Sequence, residues 1–207
     1  MKIKTLCVGP IGTNCYLLCD DETRVCAVID PGGDAGRVTA AAAETGCSPC
    51  AIFLTHGHYD HTGAVAELRK VWPEIPVYLN RRDRCGDDPY LAQLFPPIPD
   101  AADYDEGDTL RVGGLTVEVL ATPGHSEGSV TLRCGGVLFC GDTLFAGSCG
   151  RTDFPGGSVN KILASLRRLG QLEGDLAVYP GHMESSTLDQ ERRTNPFLLQ
   201  ALAGDRS

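Results

Sequence analysis

Apolar positions along the chain follow two rhythms, and the places where one gives way to the other mark its elements. Ala51-Ile52-Phe53-Leu54 is a short continuous apolar run, which predicts a strand buried on both faces. Leu115, Val117, Val119 and Ala121 alternate with Thr116, Glu118 and Leu120 as a half-buried strand does. Further strands are predicted at 25–29, 77–79, 129–133, 137–140 and 176–179, with Gly135-Gly136 turning one into the next. Helical spacing appears in Ala64, Val65, Leu68, Val71 and Trp72 until Pro73, and in Ile162, Leu163, Leu166 and Leu169 until Gly170. Asp34 to Gly46 predicts a helix with an Asp N-cap, an Ala-rich body and a glycine C-cap. Thr187 with Gln190 predicts a capping box for a last helical region reaching Leu202, broken near Asn195-Pro196. The stretch from Arg81 to Asp108, rich in Pro, Asp and Arg, is expected to be an irregular excursion over the surface on the substrate side. Strands interspersed with helices predict an α/β protein, and 207 residues are most simply one domain, 1–207.

Polar residues with chemical potential sit just past these strands. All five histidines lie in motif positions: Thr55-His56-Gly57-His58-Tyr59-Asp60-His61, Gly124-His125 and Gly181-His182. Asp30 follows the strand 25–29, and Asp142 follows 137–140 directly. Loops leaving one end of a sheet can converge, and rigid strands there position catalytic groups. His-x-His can point two side chains at one metal, while Asp60 and His61 turn toward a neighbour as the chain enters a helix. Asp142 could bridge the two, and imidazole with carboxylate suits zinc, iron or manganese. The pattern predicts a dinuclear metal hydrolase. A hydroxide between two cations would be the nucleophile, since coordination lowers the pKa of water from about 15.7 to about 7.

The acidic balance, 27 Asp and Glu against 18 Lys and Arg for a formal charge of −9, disfavours a nucleic-acid partner. The N-terminal apolar run is too short for a signal peptide, and no 18-residue apolar stretch occurs, so a cytoplasmic location without membrane contact is expected. Among the ten cysteines, Cys47-Ser48-Pro49-Cys50, expected in a loop between helix and strand, has the spacing of a redox or zinc-knuckle pair, but one pair cannot close a four-ligand zinc site. The cysteines are read as small apolar residues without a catalytic role.

The motifs Thr55 to His61, Pro123-Gly124-His125, Gly141-Asp142 and Pro180-Gly181-His182, in that order, resemble the metallo-β-lactamase superfamily. Within it, Ile29-Asp30-Pro31-Gly32-Gly33, Gly150-Arg151-Thr152-Asp153-Phe154 and Glu191 to Phe197 resemble the short glyoxalase II-like hydrolases, known as hydroxyacylglutathione hydrolases. The resemblance implies a four-layer αββα sandwich with two divalent metals, Zn2+ before Fe or Mn, at one edge. One metal would take His56, His58 and His125, and the other Asp60, His61 and His182, with Asp142 bridging. Asp60 and Asp142 are the candidate catalytic carboxylates, Asp30 supports the site without ligating, and Arg151 is the candidate contact for a substrate carboxylate.

The implied reaction is hydrolysis of a small acyl thioester such as S-lactoylglutathione. Two features depart from the longer glyoxalase II pattern. The basic C-terminal helical region that contacts glutathione has no counterpart here, and His182 is followed by Met183-Glu184 where an aromatic is expected. The rival readings are a one-iron persulfide dioxygenase, which would leave Asp60, His61 and His182 unused, and a lactone or β-lactam hydrolase built on the same two metals. Oligomeric state is not set by the sequence.

Overall fold

A computed structural model describes residues 1–84 and 88–204. The N-terminal sheet holds β1 (Lys2–Val8), β2 (Thr13–Asp20), β3 (Val25–Ile29), β4 (Ser48–Phe53) and β5 (Val77–Tyr78), in that spatial order. The second sheet contains β6 (Thr109–Val112), β7 (Leu115–Ala121), β8 (Val130–Cys134) and β9 (Val137–Gly141). After a separate hairpin, β10 (Leu144–Phe145) with β11 (Ser148–Cys149), it is completed by β12 (Ala177–Pro180) and β13 (Ser186–Thr187), giving the order β13-β12-β9-β8-β7-β6.

The helices are α1 (Ala35–Thr45), α2 (Tyr59–Thr62), α3 (Val65–Val71), α4 (Leu91–Leu94), α5 (Val159–Gly170), α6 (Leu188–Thr194) and α7 (Pro196–Ala203). Helices α1 and α3 pack on the outer face of the first sheet and α5, α6 and α7 on that of the second, the αββα sandwich that the family resemblance implied.

Three apolar layers explain the continuous runs. In β4, Ile52 packs with Val38, Leu68 and other residues of α1 and α3, whereas Phe53 packs with Tyr16, Val119 and Phe139 between the sheets. In β9, Phe139 joins that central layer, and Leu138 and Cys140 face Leu166, Leu169 and Leu198 of α5 and α7. Alternate residues of these strands enter different cores, so neither face is polar and the usual period of two disappears.

Three local expectations change. Asp34 precedes α1 but does not cap it: the residue is left-handed at φ 54°, and its carboxylate accepts instead from the Gly9 backbone N–H and Arg37. Cys50 lies inside β4 rather than in a loop, and none of the nine described cysteines forms a disulfide. The excursion from 81 to 108 is not confined to the surface, because Asp83, Phe95, Ala101 and Tyr104 are buried and Tyr78 bridges Ala102 in parallel. Part of it, Cys85 to Asp87, lies outside the described residues. The break between the last helices is as expected: Asn195 Oδ1 accepts from the N–H groups of Phe197 and Leu198 and starts α7 at Pro196.

Candidate metal centre

Strand direction brings the chemistry to one edge. β3 runs parallel to β4, and β9 parallel to β12, so Asp30, the segment from His56, Asp142 and His182 all leave C-terminal strand ends. β7 is antiparallel to β8, and β8 to β9, which points the end of β7, and the turn to His125, the same way. The backbone N–H of Val130 donates to the Thr55 carbonyl and ties the two sheets at this edge.

Every candidate residue except Arg151 converges. His56, His58 and His125 offer donor atoms within 4.8 Å of one another, as do His56, His61 and Asp142, and again Asp60, His61 and His182. Asp142 stands between the groups: its Oδ1 is 3.3 Å from His61 Nε2, and its Oδ2 is 3.5 Å from His125 Nε2 and 3.7 Å from His182 Nε2. His58 Nδ1 and His125 Nε2 face each other at 2.8 Å.

Hydrogen bonds behind the rings fix which nitrogen carries the lone pair. Asp30 Oδ2 accepts from His61 Nδ1 at 3.0 Å and from the Thr55 hydroxyl at 2.7 Å, while its Oδ1 accepts from the Thr55 backbone N–H. With its proton given to Asp30, Thr55 Oγ1 accepts from His56 Nδ1 at 3.2 Å. The Arg151 carbonyl accepts from His125 Nδ1 at 2.8 Å. The rings of His56, His61 and His125 therefore aim a basic Nε2 inward, whereas His58 presents Nδ1 to His125. Asp30 does this from a left-handed backbone at φ 50°, a strained conformation held by its three partners.

The residues fit a cation. Nε2 of His56 and His61 and Oδ1 of Asp142 are buried without a hydrogen-bond partner among the described residues, and these three residues offer ligand atoms within 4.8 Å of one another. Unmet buried polar atoms are costly, and three gathered in one group call for a shared electrophile. No lysine or arginine pairs with Asp60 or Asp142 among the described residues; their charged neighbours are histidines.

Electrostatics divide the cluster. Burial, then the neighbouring imidazoles, push His56 well below the ordinary value of 6.5, and the same causes take His58 down to about 3. Burial opposes protonation of His61 too, but Asp142 and Asp30 outweigh it and raise that residue well above 6.5. At His182 burial is likewise overcome, by the hydrogen bond to Asp60 and the charge of Asp142. For Asp60 and Asp142 burial favours the neutral acid, yet the surrounding histidines keep both below the usual carboxylate range.

Two glycines make the approach possible. Gly141 sits at φ 47°, where a Cβ would fall 2.3 Å from Thr55 Oγ1, and a Cβ on Gly181 would lie 2.2 Å from Asp142 Oδ1.

Asp83 was not legible in the sequence. Buried in the 3-10 turn Arg81–Asp83, it accepts from the Gly57 N–H, the Ser126 hydroxyl and the Gly128 N–H, joining the two histidine loops. No motif or periodicity marks it. Arg151 lies on the rim of a 360 Å³ cavity shared with His58, Asp142 and His182, its side chain paired with Asp153 at 2.6 Å and stacked 4.0 Å over Phe154. Tyr59 lines the same cavity and is exposed.

Residues 8–182 match the metallo-β-lactamase superfamily, and the chain belongs to that family of metal-dependent hydrolases. It is 37% identical to hydroxyacylglutathione hydrolase GloC of Haemophilus influenzae, across 96% of this chain and 98% of that protein. Among solved structures it resembles the BLEG-1 B3 metallo-β-lactamase, with a TM-score of 0.84 and 36% identity over 95% of this chain and 99% of the other. It also resembles TTHA1623 in a di-iron-bound form, with a TM-score of 0.81 and 38% identity over 94% and 99% of the two chains. No helix among the described residues is long and apolar enough to cross a membrane.

Proposed function

We propose that this chain hydrolyses small acyl thioesters of the hydroxyacylglutathione type, using two divalent cations, zinc in the first instance. His56, His58 and His125 would hold one and Asp60, His61 and His182 the other, with Asp142 shared. The observation that carries this reading is the position of Asp142, whose two oxygens reach toward both sets. The assembled Asp60, His61 and His182 group is what a one-metal dioxygenase would have no use for. When bound, such cations supply a hydroxide nucleophile at neutral pH and stabilise the charge that develops on a carbonyl oxygen and on a leaving thiolate.

The chain's own residues do the rest. Asp30, Thr55 and the Arg151 carbonyl hold the imidazoles in one tautomer, so the site needs no rearrangement as charge develops. Asp60, ionised and hydrogen-bonded to the Thr13 hydroxyl, is placed to take the hydroxyl proton as the tetrahedral adduct collapses and to return it to the leaving thiolate. Phe95 and Phe154 pack against His58 and limit water on that side. Arg151, on the exposed rim, is suited to a carboxylate of a peptide-like thiol such as glutathione. The net reaction breaks the C–S bond, forms a C–O bond and yields an acid and a thiol. The kinship with GloC favours a thioester over other acyl substrates.

Elemental analysis of the purified protein, with rates on S-lactoylglutathione, two unrelated acyl thioesters, a lactone and a penicillin, tests the proposal. Two equivalents of metal and fastest turnover of a thioester are expected. Preference for the lactone or the penicillin would overturn it.

A further inference from the structure

Tyr59 and Asp60 line two adjoining cavities. One is the metal-ligand cavity; the other is a larger cavity of about 570 Å³ between α2, α3 and the segment Pro96-Pro97-Ile98-Pro99. Three prolines in that wall remove backbone donors and fix φ, so the segment is stiff and offers few N–H groups to a polar ligand. Val65 and Ala66 supply apolar surface from α3. The cation in this lining is Arg69, which donates from Nη1 to the Pro99 carbonyl at 2.6 Å and has no carboxylate partner among the described residues. Four guanidinium donors remain for something else.

A thioester has two arms meeting at the reacting carbonyl, and the metal-ligand cavity has two distinct surroundings to receive them. Toward His58 and His125 the rim carries Phe154 and the exposed Arg151, which suits a polar thiol arm. Past Tyr59 and Asp60 lies the stiff, largely apolar groove ending in one unpaired cation. We infer that this groove is the subsite for the acyl arm, and that it selects flexible aliphatic acyl groups ending in a carboxylate, with Arg69 as the residue that reads the far end.

The inference rests on the thioester reading and names the substrate class within it. The probes are acetyl, hexanoyl and adipoyl thioesters of N-acetylcysteamine, a small thiol common to all three. Hexanoyl is expected to exceed acetyl in kcat/KM, because each buried methylene contributes roughly fourfold. Adipoyl is expected to exceed hexanoyl by about tenfold through a charge-assisted hydrogen bond.

Arg69→Gln should abolish the adipoyl advantage, and Ala66→Trp, at an exposed position of α3, should flatten the chain-length trend. Both should leave acetyl turnover unchanged. Equal rates on the three thioesters, or preferences that survive both substitutions, would overturn the subsite while leaving thioester hydrolysis intact. Failure to turn over any thioester would instead overturn the reaction itself. If Ala66→Trp altered discrimination between glutathione and N-acetylcysteamine thioesters of one acyl group, the groove would belong to the thiol arm and the inference would fall.

Discussion

Asp83 accepts the Ser126 hydroxyl at 2.6 Å while its carboxylate also holds the Gly57 and Gly128 N–H groups, so one buried side chain sets the distance between the loops of His58 and His125. Asp83→Ala would strand the buried N–H groups of Gly57 and Gly128, while the Ser126 hydroxyl keeps Ser129, and is expected to destabilise the fold by about 3 kcal/mol. Thermal unfolding measures that cost. Asp83→Asn keeps the size and one acceptor oxygen, and should recover part of the stability while still loosening the His58–His125 pair. Metal content per chain should therefore fall in both variants, more in the alanine form. Full metal content with normal turnover in Asp83→Ala would contradict the bridging role.

Metal retention should depend on pH in two stages. A ligand must lose its proton before it can bind, so a raised histidine pKa makes the proton a stronger competitor. His61 and His182 are raised above 6.5, whereas His56 and His58 are depressed, His58 to about 3. As pH falls through neutrality, the set containing His61 and His182 takes up protons first and its cation is released first. The set built on His56 and His58 keeps its cation to lower pH. Dialysis at stepped pH followed by elemental analysis should pass through a one-metal plateau. A single-step loss of both ions would show that the two sets do not differ.

The contrast between Asp142 and Arg151 follows from how each reaches the site. Asp142→Ala removes the carboxylate that both sets share and should abolish retention of at least one cation and nearly all turnover. Arg151 touches His125 through its backbone carbonyl, which survives substitution. Arg151→Ala should therefore raise KM about tenfold for a carboxylate-bearing thioester with little change in kcat, the loss of one exposed charged contact. Steady-state kinetics separates the two. A large fall in kcat for Arg151→Ala would place its side chain in the chemistry itself.

What could be read ahead of the structure followed physical regularity. The histidine motifs were visible because metal chemistry demands particular residue types at short spacing, and the buried strands because β3, β4 and β9 are apolar on both faces. Asp83 was invisible because its importance lies in three partners distant in sequence, and a lone aspartate in an Arg-rich stretch reads as surface. Asp34 misled for a related reason: its residue type suits an N-cap, but the Gly9 N–H lies within reach and the backbone turns left-handed to meet it. The Glu191 to Phe197 motif was legible as a family mark, and its physical role became plain only with the β10–β11 hairpin in place.

That role gives a last expected outcome. Glu191 is fully buried and accepts from the Gly147 N–H, the Ser186 hydroxyl and Asn195 Nδ2, while the same Asn195 amide donates to the carbonyls of Phe145 and Ser148. The pair thus clamps the hairpin to the start of α7, and Phe145 from that hairpin packs edge-on to His182, with ring centroids 6.1 Å apart. Glu191→Gln retains an acceptor for Gly147 and should cost less than Glu191→Ala, for which about 3 kcal/mol is expected from the unmet donors. Because the clamp supports His182 and not His56 or His58, the alanine variant should bind its second equivalent of metal more weakly while the first is held as before. Titration of the metal-free variant with zinc, followed by calorimetry, measures both steps. Equal weakening of the two steps would mean that Glu191 stabilises the whole edge and has no particular hold on His182.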